Sequence, residues 1–191
     1  MKHGNATIPD LAKRLGLSIP TVSKLVDELT DTGLIREGGK TETGSGRHPN
    51  TYGLNPESCY FVGVDIKNGS LSLGLMDFGG KVIEKQLDIN FESCNSVDNL
   101  SQLCDIINHF INSRTVDRES ILAVNVNISG RVNPMMGYSY SRYNFEEMPL
   151  SEVLSEKLGL RVCIENDTRA MTYGEYIYGD CSKIDNLIFL N

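Results

Sequence analysis

The chain has 191 residues, 40% of them apolar and 23% charged, an ordinary globular composition that allows one large domain or two smaller ones. Its net charge of −7 excludes a chain coated throughout for nucleic acid. No apolar run approaches the roughly 18 residues that a membrane helix needs, and the opening MKHGNATIPDLAKR lacks the apolar stretch of a secretory leader, so a cytoplasmic protein with no membrane partner is expected.

The acid is unevenly spread. Residues 1–55 hold seven Lys and Arg against six Asp and Glu, whereas residues 56–191 hold eleven against nineteen. A near-neutral first part can still meet DNA if its few cations share one face. Cys59, Cys94, Cys104, Cys163 and Cys181 are scattered and form no CxxC, and His3, His48 and His109 make no ligand cluster. They read as free thiols and isolated imidazoles in a reducing compartment.

In chain order, Thr7 precedes Ile8-Pro9-Asp10, a cap with proline and an acid in the first turn, and predicts a helix over 9–15 that Gly16 stops. Ser18 caps a second helix, again with proline in its first turn, ended by Gly33. Val22, Leu25, Val26 and Leu29 recur at helical spacing and are expected to face inward as one stripe. Leu34-Ile35 begin a strand that 51–54 could meet antiparallel, and the Gly-, Ser- and Thr-rich 38–50 between them has the length of a wing. From Tyr60 the period changes. YFVGVDI (60–66), 70–78 and 81–89 read as a three-strand meander, 97–112 as a helix, 121–128 as a strand and 130–145 as a hairpin-like excursion. A helix over 149–159, a strand over 161–166, a helix over 168–179 and a last strand over 186–190 complete a mixed sheet with helices on its faces. The fold class is therefore α/β: a small winged helix-turn-helix over 1–55, then a mixed-sheet lobe over 60–191.

Two short helices joined by Leu15-Gly16-Leu17-Ser18 cross steeply, and the second can enter a major groove. Ser18, Thr21 and Ser23 can donate to phosphate oxygens, Lys24 can neutralise one, and Ile19 and Pro20 can touch thymine methyls. A plain helical hairpin is the competing reading. In Gly44-Ser45-Gly46-Arg47-His48-Pro49 the glycines permit close approach to a backbone, and Arg47, with His48 beside it, suits a narrow minor groove. A solvated linker arginine is the alternative. In the second part, Asp167 beside Asn166 at a strand end can exchange hydrogen bonds with hydroxyls, or Asp167 can simply cap the helix that follows.

TVSKLVDELTDTGLIREGG, then GSGRHP and LNP, resembles the DNA-binding module of the ROK family (repressors, open reading frames and sugar kinases). Asp65 at the end of an apolar strand, Asp77-Phe78-Gly79-Gly80-Lys81-Val82, and Glu165-Asn166-Asp167 with Ala170 and Gly174-Glu175 resemble its sugar lobe. The resemblance covers essentially the whole chain and points to the family's repressor branch. It implies a ribonuclease-H-like (actin-like ATPase) lobe, with Asp167 standing where the kinases hold their catalytic base. It also implies a sugar site bordered by Gly130, Asn144, Asn166 and Asp167. The implied partners are double-stranded operator DNA, a sugar or sugar-phosphate effector, and further copies of the chain as a homodimer or higher homo-oligomer.

The chain departs from the family in two places. ATP-using members follow Asp and an apolar residue with Gly-Gly-Thr, whose amides approach phosphate. Here Asp65-Ile66 is followed by Lys67-Asn68-Gly69, so a repressor is expected, with an ATP-dependent sugar kinase carrying a DNA-binding module as the alternative. Arg169 replaces an asparagine usual two positions after the aspartate. The resemblance further implies a helix before the first one here, and a second phosphate loop, a structural zinc and a second lobe beyond Asn191. The chain is accordingly expected to be an N-terminal fragment with no cofactor or metal of its own.

Overall fold

The computed structural model describes residues 4–40, 49–145, 147–179 and 187–190. The chain divides into two units. One runs to Cys59 and takes in Asp77–Lys81; the other holds Tyr60–Met76 and the residues from Val82 on.

In the first unit, β1 (Ala6–Thr7) leads directly into α1 (Ile8–Leu15). Asp10 donates its amide to the Thr7 hydroxyl, and its carboxylate accepts from the Thr7 amide, the reciprocal pairing that Thr-Ile-Pro-Asp encodes. A hydrogen bond from the Thr7 hydroxyl and another from its amide hold the Asp10 carboxyl below the usual carboxylate range. Gly16 ends α1 in the left-handed region, with φ of 66°, where a side chain would be strained. Ser18 accepts from the Thr21 amide and starts α2 (Ile19–Asp31). β2 (Ile35–Lys40) and β3 (Asn50–Leu54) pair antiparallel, and β1 adds to the far side of β3 in the order β1-β3-β2.

The core of this unit is Ala12, Val22 and Val26, with Ile8, Leu11, Ile35 and Tyr52 packed around it. Leu25 and Leu29, expected to face inward, are each 42% exposed. Residues 22 and 26 form one ridge of α2, and residues 25 and 29 form the next, rotated by roughly 60°. The core formed with Ala12, Ile8, Leu11, Ile35 and Tyr52 takes in only the first ridge.

The second unit is built on a five-stranded sheet in the order β10-β7-β4-β5-β6. Its strands are β4 (Tyr60–Ile66), β5 (Ser70–Asp77), β6 (Val82–Asn90), β7 (Ile121–Ile128) and β10 (Val162–Asn166). β7 runs parallel to both neighbours, while β5 and β6 are antiparallel. The helices are α3 (Val97–Asn112), α4 (Leu150–Leu158) and α5 (Asp167–Tyr178), and β8 (Val132–Asn133) pairs with β9 (Tyr138–Ser139) in a small hairpin. Strand pleating sorts the side chains. Val62, Val64, Ile66, Leu73, Val124, Val126, Ile128 and Ile164 are buried in one core with Leu103, Ile107 and Phe110 of α3 and Leu154 and Leu158 of α4. The alternating positions Gly63, Asn125, Asn127 and Glu165 line a cleft of about 1110 Å³ beside Tyr173 and Tyr176 of α5.

The expected last strand is not formed. Residues 187–190 have no regular structure, and Ile188 and Leu190 are 87% and 90% exposed; residue 186 lies outside the described residues. An apolar run becomes a strand only where a ladder partner satisfies its backbone. No helix among the described residues is long and apolar enough to cross a membrane.

One buried polar clamp ties the segment before α3 to the loop after β9. The Asn99 carbonyl accepts from the Cys94 amide (2.9 Å) and the Tyr143 hydroxyl (2.7 Å), and its amide donates to the Glu92 carbonyl (2.9 Å). Burial pushes the Tyr143 phenol up to about 12. Tyr143→Phe should lower unfolding stability at neutral pH by roughly 1 kcal/mol, the value of one such bond. A phenol harder to ionise when folded contributes stability that is complete below its ordinary value near 10 and lost as pH rises through 12. Urea unfolding at pH 8 and above pH 10 should therefore show the gap between wild type and Tyr143→Phe shrinking as the medium becomes more alkaline.

Candidate functional site

Three parallel strands end level with one another. Ile66 of β4 and Asn166 of β10 both pair with Ile128 of β7, so Lys67, Ser129 and Asp167 leave the sheet side by side. Ligands of parallel α/β sheets sit at such carboxyl ends.

At β10 the Asn166 side chain makes three bonds. Its carbonyl caps α5 by accepting from the Arg169 amide (3.0 Å), and its amide donates to the Gly130 carbonyl (2.9 Å) and the Asp167 carboxylate (3.0 Å). The helix cap is thus Asn166 and not Asp167. An asparagine at the strand's last position already points its carbonyl at the orphan amides, which leaves Asp167 as the first helical residue. Asp167 instead accepts from the Ser129 hydroxyl (2.6 Å) and from the Thr168 amide (2.7 Å).

Gly130 turns the chain with φ of 101°, and a β-carbon there would stand 2.5 Å from the Ser141 side chain. The Arg131 amide donates to the Ser141 hydroxyl oxygen (2.9 Å), and the Tyr140 amide donates to the Arg131 carbonyl (2.9 Å). Gly130, Arg131, Val132, Tyr140, Asn166 and Arg169 line a pocket of about 440 Å³.

Of the four residues the sequence proposes for this site, Gly130, Asn166 and Asp167 are brought together. Asn144 stands off the pocket wall. Its amide donates to the Tyr140 carbonyl (3.1 Å), and its carbonyl accepts from Asn95 (2.8 Å), so it steadies the tyrosine. Ser129, Arg131, Tyr140 and Ser141 were missed. Ser129 and Arg131 flank Gly130 at the end of a predicted strand, and that placement was the available signal.

At the end of β4, Lys67 lies 3.6 Å from Asp65. The other oxygen of Asp65 is buried and has no hydrogen-bond partner among the described residues. The Lys67 amide is spent on the Ser70 carbonyl (2.9 Å), and Asn68 accepts from Arg142 (2.9 Å). Among the described residues no group of three or more His, Cys, Asp or Glu is placed to hold a metal ion.

On α2 of the first unit, Pro20, Thr21 and Lys24 are exposed and Ser23 is half-buried. Ser18 is exposed, and its hydroxyl lies 2.8 Å from that of Thr21. Lys24 approaches Glu28 at 3.8 Å with both side chains largely solvated, a pairing weak enough to exchange for a phosphate. Lys13 and Arg14, in the last turn of α1, are exposed cations that helical periodicity did not single out. Arg47 and His48 lie outside the described residues.

The close approach at Gly130 has a measurable consequence. Gly130→Ala should destabilise the lobe by roughly 1–3 kcal/mol, through a positive φ and the collision with Ser141. Adding Ser141→Gly should restore part of the loss, the φ penalty remaining. Urea unfolding of the two single variants and the double variant measures the coupling.

Residues 61–191 match the ROK family model, and residues 1–36 match a winged helix-turn-helix DNA-binding model. The chain is 25% identical over 192 aligned positions to the xylose repressor of Bacillus subtilis (strain 168), covering 100% of this chain and 50% of that protein. It spans about half the length of the curated relatives it matches. Among solved structures it is similar to a ROK family transcriptional regulator described as a homologue of the Escherichia coli MLC protein, with 27% identity, a TM-score of 0.76, and coverage of 95% of this chain and 46% of that one. The ROK hexokinase from Thermus thermophilus, 18% identical with a TM-score of 0.52 over 65% of this chain and 39% of its own, shares the fold. The α/β lobe, the helix-turn-helix ahead of it and a family match over residues 61–191 agree: the chain belongs to the ROK family.

Proposed function

We propose that this chain is the DNA-reading and sugar-sensing part of a sugar-responsive transcriptional repressor of carbohydrate-utilisation genes. It acts in the cytoplasm as a homodimer or higher homo-oligomer, because operator half-sites repeat about every ten base pairs. The observation that carries the reading is that one chain joins two things. One is a capped α2 with Pro20, Thr21 and Lys24 exposed on its outer face. The other is a lobe whose level strand ends gather Gly130, Asn166 and Asp167 beside a pocket of about 440 Å³. Similarity to a xylose repressor along the whole chain supports the pairing.

In this reading Ser18, Thr21, Ser23 and Lys24 hold phosphates, Pro20 meets bases, and Arg47 with His48 enters the adjacent minor groove. Asn166 and Asp167 receive sugar hydroxyls, with Gly130 shaping the wall and Asn144 holding Tyr140.

A kinase of the same fold is the competing reading, and the β4 loop speaks against it. A phosphate cradle needs free amides at a glycine pair. Here Lys67 and Asn68 occupy those positions, the Lys67 amide is bonded to the Ser70 carbonyl, and the Asn68 side chain accepts from Arg142. Incubation with ATP and a panel of sugars should give no sugar-dependent ADP release. Release that disappears in Asp167→Asn would establish the kinase instead.

DNA binding is tested by selecting duplexes from a randomised library with the full chain, then titrating the selected duplex. Alanine at Thr21, Lys24 and Arg47 together should weaken binding at least tenfold. Lys24→Ala alone should lower the slope of log affinity against log salt by about 0.9, one phosphate's share. Unchanged affinity in the triple variant would refute the assignment of this surface.

A further inference from the structure

The polar groups at the end of β10 have hydrogen-bond directions that their neighbours already fix. Asn166 gives away both hydrogens of its side-chain amide, one to the Gly130 carbonyl (2.9 Å) and one to the Asp167 carboxylate (3.0 Å). Its carbonyl accepts from the Arg169 amide (3.0 Å) and keeps one lone pair, since a carbonyl oxygen carries two. The Asn166 side chain therefore has no proton left to donate.

Asp167 is filled unevenly. Its Oδ1 accepts from the Asn166 side chain, the Thr168 amide (2.7 Å) and the Thr168 hydroxyl (3.3 Å). Its Oδ2 accepts from the Ser129 hydroxyl alone among the described residues, at 2.6 Å. Each carboxylate oxygen offers about two acceptor positions and no proton, so the position that remains is on Oδ2. Ser129 has spent its hydroxyl proton on Asp167 and keeps lone pairs of its own. The level ends of β7 and β10 thus join Ser129 Oγ and Asp167 Oδ2 into a pair of adjacent oxygens that accept further bonds and donate none.

We infer that Ser129 is a further ligand-contacting and specificity-determining residue. Two neighbouring hydroxyls of the effector meet this pair as proton donors, one at Asp167 Oδ2 and the other at Ser129 Oγ. The inference rests on the sugar-sensing reading above, which leaves Ser129 out, and adds to it a residue and the direction of two protons. A vicinal diol is the sugar group that presents two donors to adjacent acceptors. The bond to the carboxylate is the stronger because its acceptor is charged, and the Ser129 bond is strengthened by the one Ser129 itself makes to Asp167.

The test is calorimetric titration of the full chain with a panel of aldopentoses and aldohexoses, free and as terminal phosphates. The tightest binder is then compared with its monodeoxy and monodeoxyfluoro analogues at each ring hydroxyl. Fluorine replaces the hydroxyl oxygen but has no proton to give. At two adjacent ring positions the deoxy analogue should bind about tenfold more weakly than the parent or worse, and the fluoro analogue should recover none of that loss. Ser129→Ala should weaken the parent sugar about fivefold and leave unchanged the binding of the deoxy analogue that lacks the hydroxyl Ser129 meets. Ser129→Thr, which keeps the hydroxyl, should bind as the wild type does. A serine that only supports the fold would not produce this coupling to one ligand hydroxyl, and the wild-type panel tests the proton direction without any variant. Fluoro analogues that bind as tightly as the parent at every position would overturn the donor assignment and leave the sugar-sensing reading standing. Parent and analogues weakened alike by Ser129→Ala would overturn the role of Ser129. Absence of binding by every sugar form would overturn the sugar-sensing reading and this inference together.

Discussion

The register of three parallel strands is the constraint on which the site depends. Because Ile66, Ile128 and Asn166 lie opposite one another, the chain leaves β4, β7 and β10 at one level. Ser129 therefore meets Asp167, and Asn166 meets the carbonyl of Gly130. A one-residue slip of β10 would turn Val162 and Ile164 out of the core and send Asn166 to the wrong face. The core and the site are thus held by the same pairing. The buried valines and isoleucines fix the register, and the register aims the polar residues that follow them.

Around that frame the polar clamps act in series. Asn166 caps α5 and holds the Gly130 turn; Ser141 holds Arg131; Arg131 and Asn144 hold Tyr140; and Asn95 holds Asn144. Arg142 reaches from the same loop to Ser93 and Asn68, and Tyr143 reaches to Asn99. Few of these bonds are local in sequence, so occupation of the pocket would be felt by the β8–β9 hairpin, the segment before α3 and the β4 loop together. A sensor needs this property. A ligand can shift an equilibrium only through groups that differ between two arrangements, and here the groups touching the pocket are also those that connect separate elements.

Much of this fold was legible in the sequence. Thr-Ile-Pro-Asp and Ser18 before Ile19-Pro20 mark helix starts because short polar side chains satisfy orphan amides. The apolar run at 60–66 marks a buried strand, and the alternation in 70–78 and 81–89 marks strands because the pleat repeats every two residues. The misreadings have physical causes. The periodicity of α2 marks one apolar stripe, but the core takes in only Val22 and Val26, and Leu25 and Leu29 lie outside it. The apolar run at 187–190 had the composition of a strand, but composition does not provide a ladder partner. Asp167 directly precedes a helical pattern and so reads as a cap, yet Asn166 takes that place because it lies at the end of the sheet. Arg131 and Tyr140 were missed because a β-hairpin across Gly130 brings them together, and no spacing in the sequence announces that contact.

The central claim is that DNA affinity and sugar occupancy belong to one molecule and are coupled. Linkage makes the effect reciprocal: a sugar that changes DNA affinity by some factor must have its own affinity changed by DNA through the same factor. The direct measurement is fluorescence anisotropy of the selected duplex with the full chain, titrated with the tightest-binding sugar, paired with titration of that sugar in the presence and absence of the duplex. The account predicts a change in DNA affinity of roughly 5- to 150-fold, the range of ordinary coupling energies, mirrored in the sugar affinity and absent in Asp167→Ala. DNA affinity that stays constant while the sugar site fills would contradict it.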